Sequence, residues 1–461
     1  MGNYDCNDHC SSLNRFDTYM KEKIRIGAGA GFSGDRIEPA VILAEKGVLD
    51  YLVLECLAER TIALAQKRKL ADPSKGYDPL LKKRVTALLP HLIKNNTRLI
   101  TNMGAANPVA AAQKIVEIAQ KQNIKIKVTA ITGDDVLDIV RQNASSIRDL
   151  ENNKPLTDYN IISANAYLGS APIVEALKTD AQVIITGRVA DPSLFLAPMI
   201  YEFGWGENDF DLLGKGTIIG HLMECAGQIT GGYFADGIRK KVEGLDKLGY
   251  PFADIFPGGS AVISKVEGTG GVVNLDTVKE QLLYEVMNPH EYFTPDVIAD
   301  FTTVHLKEMG KNMVHISGGS GKLKPSTYKV SLGYKAFFLG EGEISYAGTA
   351  AYERAQLAAD IVQKRLQSTF SDIRIDFMGV QSMHKSTFDN ETKPYEVRLR
   401  VAAKASTAEE AALVGEEVEA LYTNGPAGGG GARKYVNEVI GIVSTLIDRN
   451  SVSPQVKIFE S

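Results

Sequence analysis

The chain has 461 residues, 44% of them hydrophobic and 23% charged, with a net charge of −5 and a pI near 5.9. That length exceeds one ordinary core, so two domains are expected, and the mild acidity offers no footprint for nucleic acid or an anionic membrane. No run of about 18 apolar residues occurs to span a bilayer, and four cysteines make no disulfide framework in a chain of this size.

Residues 1–22 are polar and lack the apolar stretch of a signal peptide. They read as a flexible arm, which points to the cytoplasm. Cys6, His9 and Cys10 cluster there but lack a fourth zinc ligand, so no metal is expected. Residues 24–34 then read Ile-Arg-Ile-Gly-Ala-Gly-Ala-Gly-Phe-Ser-Gly. Gly29, Gly31 and Gly34 spell the G-x-G-x-x-G of a dinucleotide loop, and Glu55 ends the next apolar run where a ribose-binding acid would sit. Pro39 argues against that reading. Proline is best tolerated at the start of a helix, so the helix should begin near Glu38 and leave Gly34 in a loop. Tightly bound NAD is therefore not expected.

Strands are expected at 24–28, 51–55, 98–102, 126–132, 160–165 and 182–186, with helices at 109–121, 134–143 and 171–178. Short Val/Ile/Leu runs without alternation indicate strands buried on both faces, hence a parallel sheet. The fold class is α/β: an N-terminal, mainly parallel, doubly wound (Rossmann-like) sheet over 23–205, followed by a second α+β domain over 206–461 with glycine-rich loops. Three segments share one layout of strand, polar group, glycine and capped helix start: 99–108, 161–172 and 183–192. Asn107 and Asp191 read as N-caps before Pro108 and Pro192. This layout gathers Glu55, Asn102, Thr132, Asp134, Asn165, Tyr167 and Arg188 at the carboxyl edge of the sheet, where open α/β sheets hold their ligands.

Further along, His221 and Glu224 stand three apart and share a helix face, which suits an acid–base pair as well as a packed structural histidine. Cys56 and Cys225 each follow an acid, so neither makes an attractive nucleophile. Segments 314–317 and 329–334 look like antiparallel strands, with His305 and His315 on or near them. A helix at 352–365, strands at 372–378 and 396–403, and a helix at 407–422 follow. The run Asn424-Gly-Pro-Ala-Gly-Gly-Gly-Gly-Ala-Arg433 reads either as an anion-binding loop before a further helix or as a linker or lid.

Several of these runs also resemble a known family. They are Gly27-Ala-Gly-Ala-Gly-Phe-Ser-Gly-Asp-Arg36, Asp50 to Glu59, Thr101-Asn-Met-Gly-Ala-Ala-Asn-Pro108, Ile185-Thr-Gly-Arg-Val-Ala-Asp-Pro192 and Leu283 to Phe301. From roughly residue 23 to 450 the chain resembles the acyclic terpene utilisation (AtuA) family. The resemblance implies a setting of acyl-CoA and branched-carboxylate catabolism without fixing the reaction. Many members carry an extra C-terminal domain of about 100 residues; its expected counterpart here is a separately encoded small subunit, around a homo-oligomeric core.

The leading expectation is a lyase of hydratase or dehydratase type acting on a small carboxylate or acyl-CoA thioester. Such chemistry needs only placed acids, bases and an anion anchor. Glu55 or Asp134 would move the proton, with His221 and Glu224 as the alternative pair. Arg188, Asn102, Asn165, Tyr167 and Arg433 would bind substrate, and Gly29, Gly31, Ser33 and Gly34 would supply backbone donors. An NAD(P)- or flavin-dependent oxidoreductase, or a non-catalytic subunit of an acyl-CoA complex, are the alternatives.

Overall fold

The computed structural model describes residues 21–384 and 394–461. Cys6, His9, Cys10 and nearly all of the expected N-terminal arm lie outside that range. The chain opens as β1 (Ile24–Ala30), α1 (Glu38–Lys46), β2 (Tyr51–Leu54), α2 (Glu59–Ala71), α3 (Leu81–Lys94), β3 (Arg98–Thr101), α4 (Pro108–Lys121) and β4 (Lys127–Thr132). It continues through α5 (Leu137–Gln142), β5 (Ile161–Ala166), α6 (Ala171–Leu177), β6 (Val183–Thr186), α7 (Ser193–Phe203) and α8 (Phe210–Glu224). Strands β1, β2, β3, β6 and β4 lie side by side and parallel. Every residue of β2 and β6 is buried, as their unalternating apolar runs require.

The second half begins with β7 (Pro251–Ile255), β8 (Ala261–Lys265), α9 (Leu275–Leu283), β9 (Tyr292–Phe293), β10 (Ile298–Asp300), β11 (His305–Gly310), β12 (Met313–Ser317) and β13 (Ser320–Lys322). It ends with β14 (Thr327–Ala347), α10 (Ala351–Leu366), β15 (Ile373–Met378), β16 (Glu396–Ala405), α11 (Ala408–Asn424), β17 (Gly430–Asp448) and β18 (Gln455–Glu460). Strands β7, β8, β12 and β11 extend the first sheet antiparallel beyond β1, and β18 closes its other end beside β4, giving ten strands. Residue 205 therefore marks no break in this sheet, because strands from beyond it complete both edges.

Two sequence expectations change. Strand β5 lies one residue later than expected and leaves the parallel sheet, pairing antiparallel with β14, Asn165 lying opposite Ser331. The segment after Arg433 is not a helix but the 19-residue strand β17, paired along β14. Its Val/Ile run satisfies both a helical and an extended period, and the long partner strand decides between them. Strands β15, β16, β14 and β17 form a separate sheet whose core includes Val397, Leu399 and Val401 against Ala355, Val362, Val414 and Val418 of α10 and α11. Among the described residues, no helix is long and apolar enough to cross a membrane.

Candidate functional site

The glycine loop is met by the chain's own groups. Helix α1 starts at Glu38 with Pro39 in its first turn, as the sequence suggests. The Gly31 N–H donates to the Asp35 carboxylate at 2.8 Å, and the Ser33 hydroxyl to Asp78 at 2.6 Å. Arg84, fully buried, donates to the Asp35 carbonyl and to the Cys56 sulfur, each at 2.8 Å. A Cβ on Gly29 would strike Leu54, and one on Gly34 the Phe32 ring. One on Gly31 would lie 2.4 Å from the backbone of Cys225, just past the end of α8. Gly31 thus lets α8 approach the sheet. Gly31→Ala should cost about 1–3 kcal/mol, because backbone cannot yield as a side chain can. Chemical denaturation measures this; a neutral substitution would reassign the glycine to ligand approach, as would a rise in melting temperature on adding NAD.

The strand ends next to the loop form a braced polar layer. Glu55 accepts the Leu57 N–H at 2.8 Å and the Asn102 amide at 2.7 Å. Asn102 in turn accepts the Cys56 N–H at 2.7 Å. Burial, helped by the nearby Asp191, holds the Glu55 carboxyl well above its usual range. Asp134 Oδ2 accepts the Arg188 N–H and the Asn165 amide, both at 2.9 Å. Burial outweighs those bonds and lifts Asp134 to about 6. Gly187 makes room for this carboxylate, which a Cβ there would meet at 2.5 Å.

Arg188 is 2% exposed. Its guanidinium donates to the Leu57 carbonyl, lies 4.0 Å from the centre of the Tyr167 ring and stands 3.2 Å from Asp191. Arg188 therefore sits behind Tyr167. It does not line the adjoining cavity, a space of about 490 Å³ bounded by Tyr167, Asp191, Tyr292, Tyr328, Lys329 and Leu446 among others. Most of that wall is apolar, and its size falls in the range of about 300–1,000 Å³ usual for small-molecule sites.

Three residues not picked out from sequence, Asp191, Lys329 and Tyr292, line this cavity, with Glu59 behind them. Asp191 caps nothing: α7 begins at Ser193, and no side chain accepts from its first turn. A third of the Asp191 side chain is open, and it opens into the cavity. Its dry surroundings lift it to about 7 against the pull of Arg188, with Glu224, Glu59 and Glu285 adding to the rise. Lys329 stands 4.9 Å from the centre of the Tyr167 ring and 3.4 Å from Glu59. The Tyr167 hydroxyl also donates to Glu59. Burial alone would raise Glu59, but Arg188, Tyr167 and Lys329 reverse this and hold it at about 2. Tyr292 supplies the far wall. Asp191 could have been suspected from its position three residues after Arg188; Lys329 and Tyr292 arrive only through tertiary folding.

His221 and Glu224 meet on α8 as their spacing suggests, with Nδ1 and Oε1 3.0 Å apart. The other ring nitrogen faces the Gln281 carbonyl at 3.0 Å. A carbonyl only accepts, so Nε2 is the donor there and Nδ1 faces the Glu224 carboxyl. Burial raises the Glu224 carboxyl against the pull of His221. The imidazole packs on Tyr292 and Phe301, with ring centres 5.5 and 5.4 Å apart. This pair lies behind Tyr292, away from the cavity wall. Glu224 Oε2, Asp191 Oδ1, Arg188 Nε and Asn165 Oδ1 have no hydrogen-bond partner among the described residues. Arg433 is remote, lying on β17 opposite Glu343 in the smaller sheet. Among the described residues, no group of three or more His, Cys, Asp or Glu side chains is arranged to hold a metal ion.

A family model described as acyclic terpene utilisation family protein AtuA matches residues 24–458. No curated protein and no solved structure matches the chain. The matched span runs from β1 into β18 and includes both the braced strand ends and the cavity, and the chain belongs to the acyclic terpene utilisation (AtuA) family.

Proposed function

We propose that the chain is a catabolic enzyme that holds a small aliphatic carboxylate or acyl thioester in the cavity beside Asp191 and hydrates or dehydrates it by acid–base chemistry. One observation carries this reading: a carboxyl poised at about 7 shares an apolar cavity with one cation, Lys329. A group that titrates near neutral pH can both take and give a proton. The apolar walls suit a hydrocarbon chain, and family membership supplies the catabolic setting.

In the hydration direction, ionised Asp191 accepts a proton from a water whose oxygen bonds to the β-carbon of an unsaturated acyl group. The π electrons move onto the acyl oxygen, and Lys329 offsets the enolate charge. The α-carbon then takes the proton from the neutral Asp191 carboxyl, so hydrogen and hydroxyl have added across the double bond. Glu224, Glu59 and Glu285 add to the burial that keeps its proton affinity high, and Arg188 limits the rise. The nicotinamide and flavin reading of the glycine loop draws no support from a Gly31 N–H already bonded to Asp35.

The test is incubation of the full chain in D₂O with branched α,β-unsaturated acids and their thioesters, followed by mass spectrometry. The expected product gains one hydroxyl and one α-deuterium. Folded protein that yields neither product nor α-exchange across the series would count against the proposal.

A further inference from the structure

We propose that the free edge of β17 is a dimerisation edge, taken by the same strand of a second copy of this chain running antiparallel. Strand β17 pairs on one side with β14 along almost its whole length. On its other side, the C-terminal end is covered: the Leu150 N–H donates to the Ser444 carbonyl at 2.9 Å, and the Thr445 hydroxyl to the Arg148 carbonyl at 2.7 Å. Nearer the start, the Tyr422 hydroxyl accepts the Ala432 N–H at 3.0 Å. Between Arg433 and Val443 no strand of the described residues lies on that side. An open edge of this kind is a template for another strand unless charge, proline or a bulge blunts it. Arg433 to Val443 contains no proline.

The sequence of this edge is complementary to itself. A two-fold axis perpendicular to the sheet keeps each face on its own side, so only residues of the same face can oppose one another. With the axis at Val436, Lys434 opposes Glu438 of the partner subunit and Tyr435 opposes Asn437 of the partner subunit. Val436 then meets its own copy, and symmetry makes the Lys–Glu pair twice. Opposite charges placed across strands stabilise, and like charges destabilise. Strand β11, one edge of the larger sheet, does the reverse: an axis at its middle sets Lys307 against Lys307 or Glu308 against Glu308. Apolar exposure also gathers at the β17 edge, where Tyr422, Tyr435 and Val436 are 53%, 44% and 41% exposed. Within its own subunit Lys434 pairs with Glu419 at 2.6 Å with half its side chain open, while Glu438 is bonded to Lys67 and stands 3.7 Å from Lys335 with 21% of its side chain open, so the cross-axis pair forms by adding to or exchanging these partners.

Analytical ultracentrifugation of the full chain should show a dimer. Lys434→Glu should weaken it about tenfold or more, since two attractive pairs become two repulsive ones. Lys434→Glu combined with Glu438→Lys should restore it. Oxidised Val436→Cys should migrate as a cross-linked dimer on a non-reducing gel. Circular dichroism melts show that the variants remain folded. A monomer at about 100 μM, roughly the concentration above which only weak association appears, would overturn the proposal. So would a dimer indifferent to the charge swaps and not cross-linked through position 436.

Discussion

Asp191→Asn should lower turnover by about 10²- to 10⁴-fold, the usual loss when a general acid–base group is removed. Substrate affinity should change little, because the amide fills the same space and Lys329 remains in place. The pH profile provides a second readout. In hydration the ionised carboxylate is the active form, so the rate should rise with pH through about 7 and then level. Stability should move the other way. A carboxyl raised above its ordinary value binds its proton more tightly in the folded state. Its contribution is complete below about 4, the unfolded value, and is lost as pH rises through about 7. Asp134, lifted to about 6, adds to the same decline. Wild-type protein should therefore melt at lower temperature at pH 8 than at pH 5.5, and Asp191→Asn should flatten that slope. Glu59 works at the opposite end: held at about 2, it supports the fold above about 4 and loses that effect only in strong acid. A variant that keeps full turnover would remove Asp191 from the chemistry, whatever its melting behaviour.

Most strands were legible because burial on both faces leaves a plain mark. Tyr51-Leu-Val-Leu and Val183-Ile-Ile-Thr occupy β2 and β6 as their apolar runs suggest. Pro39 gave the start of α1 correctly, since proline restricts its own backbone whatever the tertiary context. Strand β5 shows where such marks end. Ile161 to Ala166 is buried throughout, yet no local pattern says whether its neighbour is a parallel strand or β14. The candidate site was half legible for the same reason. Glu55, Asn102, Asp134 and Arg188 sit at strand ends, and the α/β architecture gathers those without further information. Lys329 and Tyr292 reach Tyr167 and His221 from distant elements, and no spacing rule relates them. Asp191 was visible but misassigned. Asp-Pro before a helix usually signals a cap, whereas here the nearby guanidinium draws the carboxylate away from the helix end.

Arg188→Met should destabilise the fold by about 3–5 kcal/mol, the usual cost of removing one partner from a buried ionic group. Arg188 is the cation that offsets the buried acids Glu55, Asp191 and Glu224, and it also holds the Leu57 carbonyl and the Tyr167 ring. A methionine fills similar space without charge or donors. The acids left behind would rise further and take up protons, so the loss should shrink toward low pH. Arg188→Lys should not rescue the fold: it keeps the charge but lacks the planar fork that serves a carbonyl, a ring and a carboxylate together. Adding Asp191→Asn to Arg188→Met should recover part of the loss, because the double variant no longer buries that carboxylate unpaired. A recovery of about 1 kcal/mol or more would measure their coupling directly. Urea unfolding of the wild type, Arg188→Met, Arg188→Lys, Asp191→Asn and the double variant, followed at pH 5.5 and 8, tests this. Unchanged stability with lost substrate affinity would instead make Arg188 an anion anchor that reaches the cavity when Tyr167 moves aside.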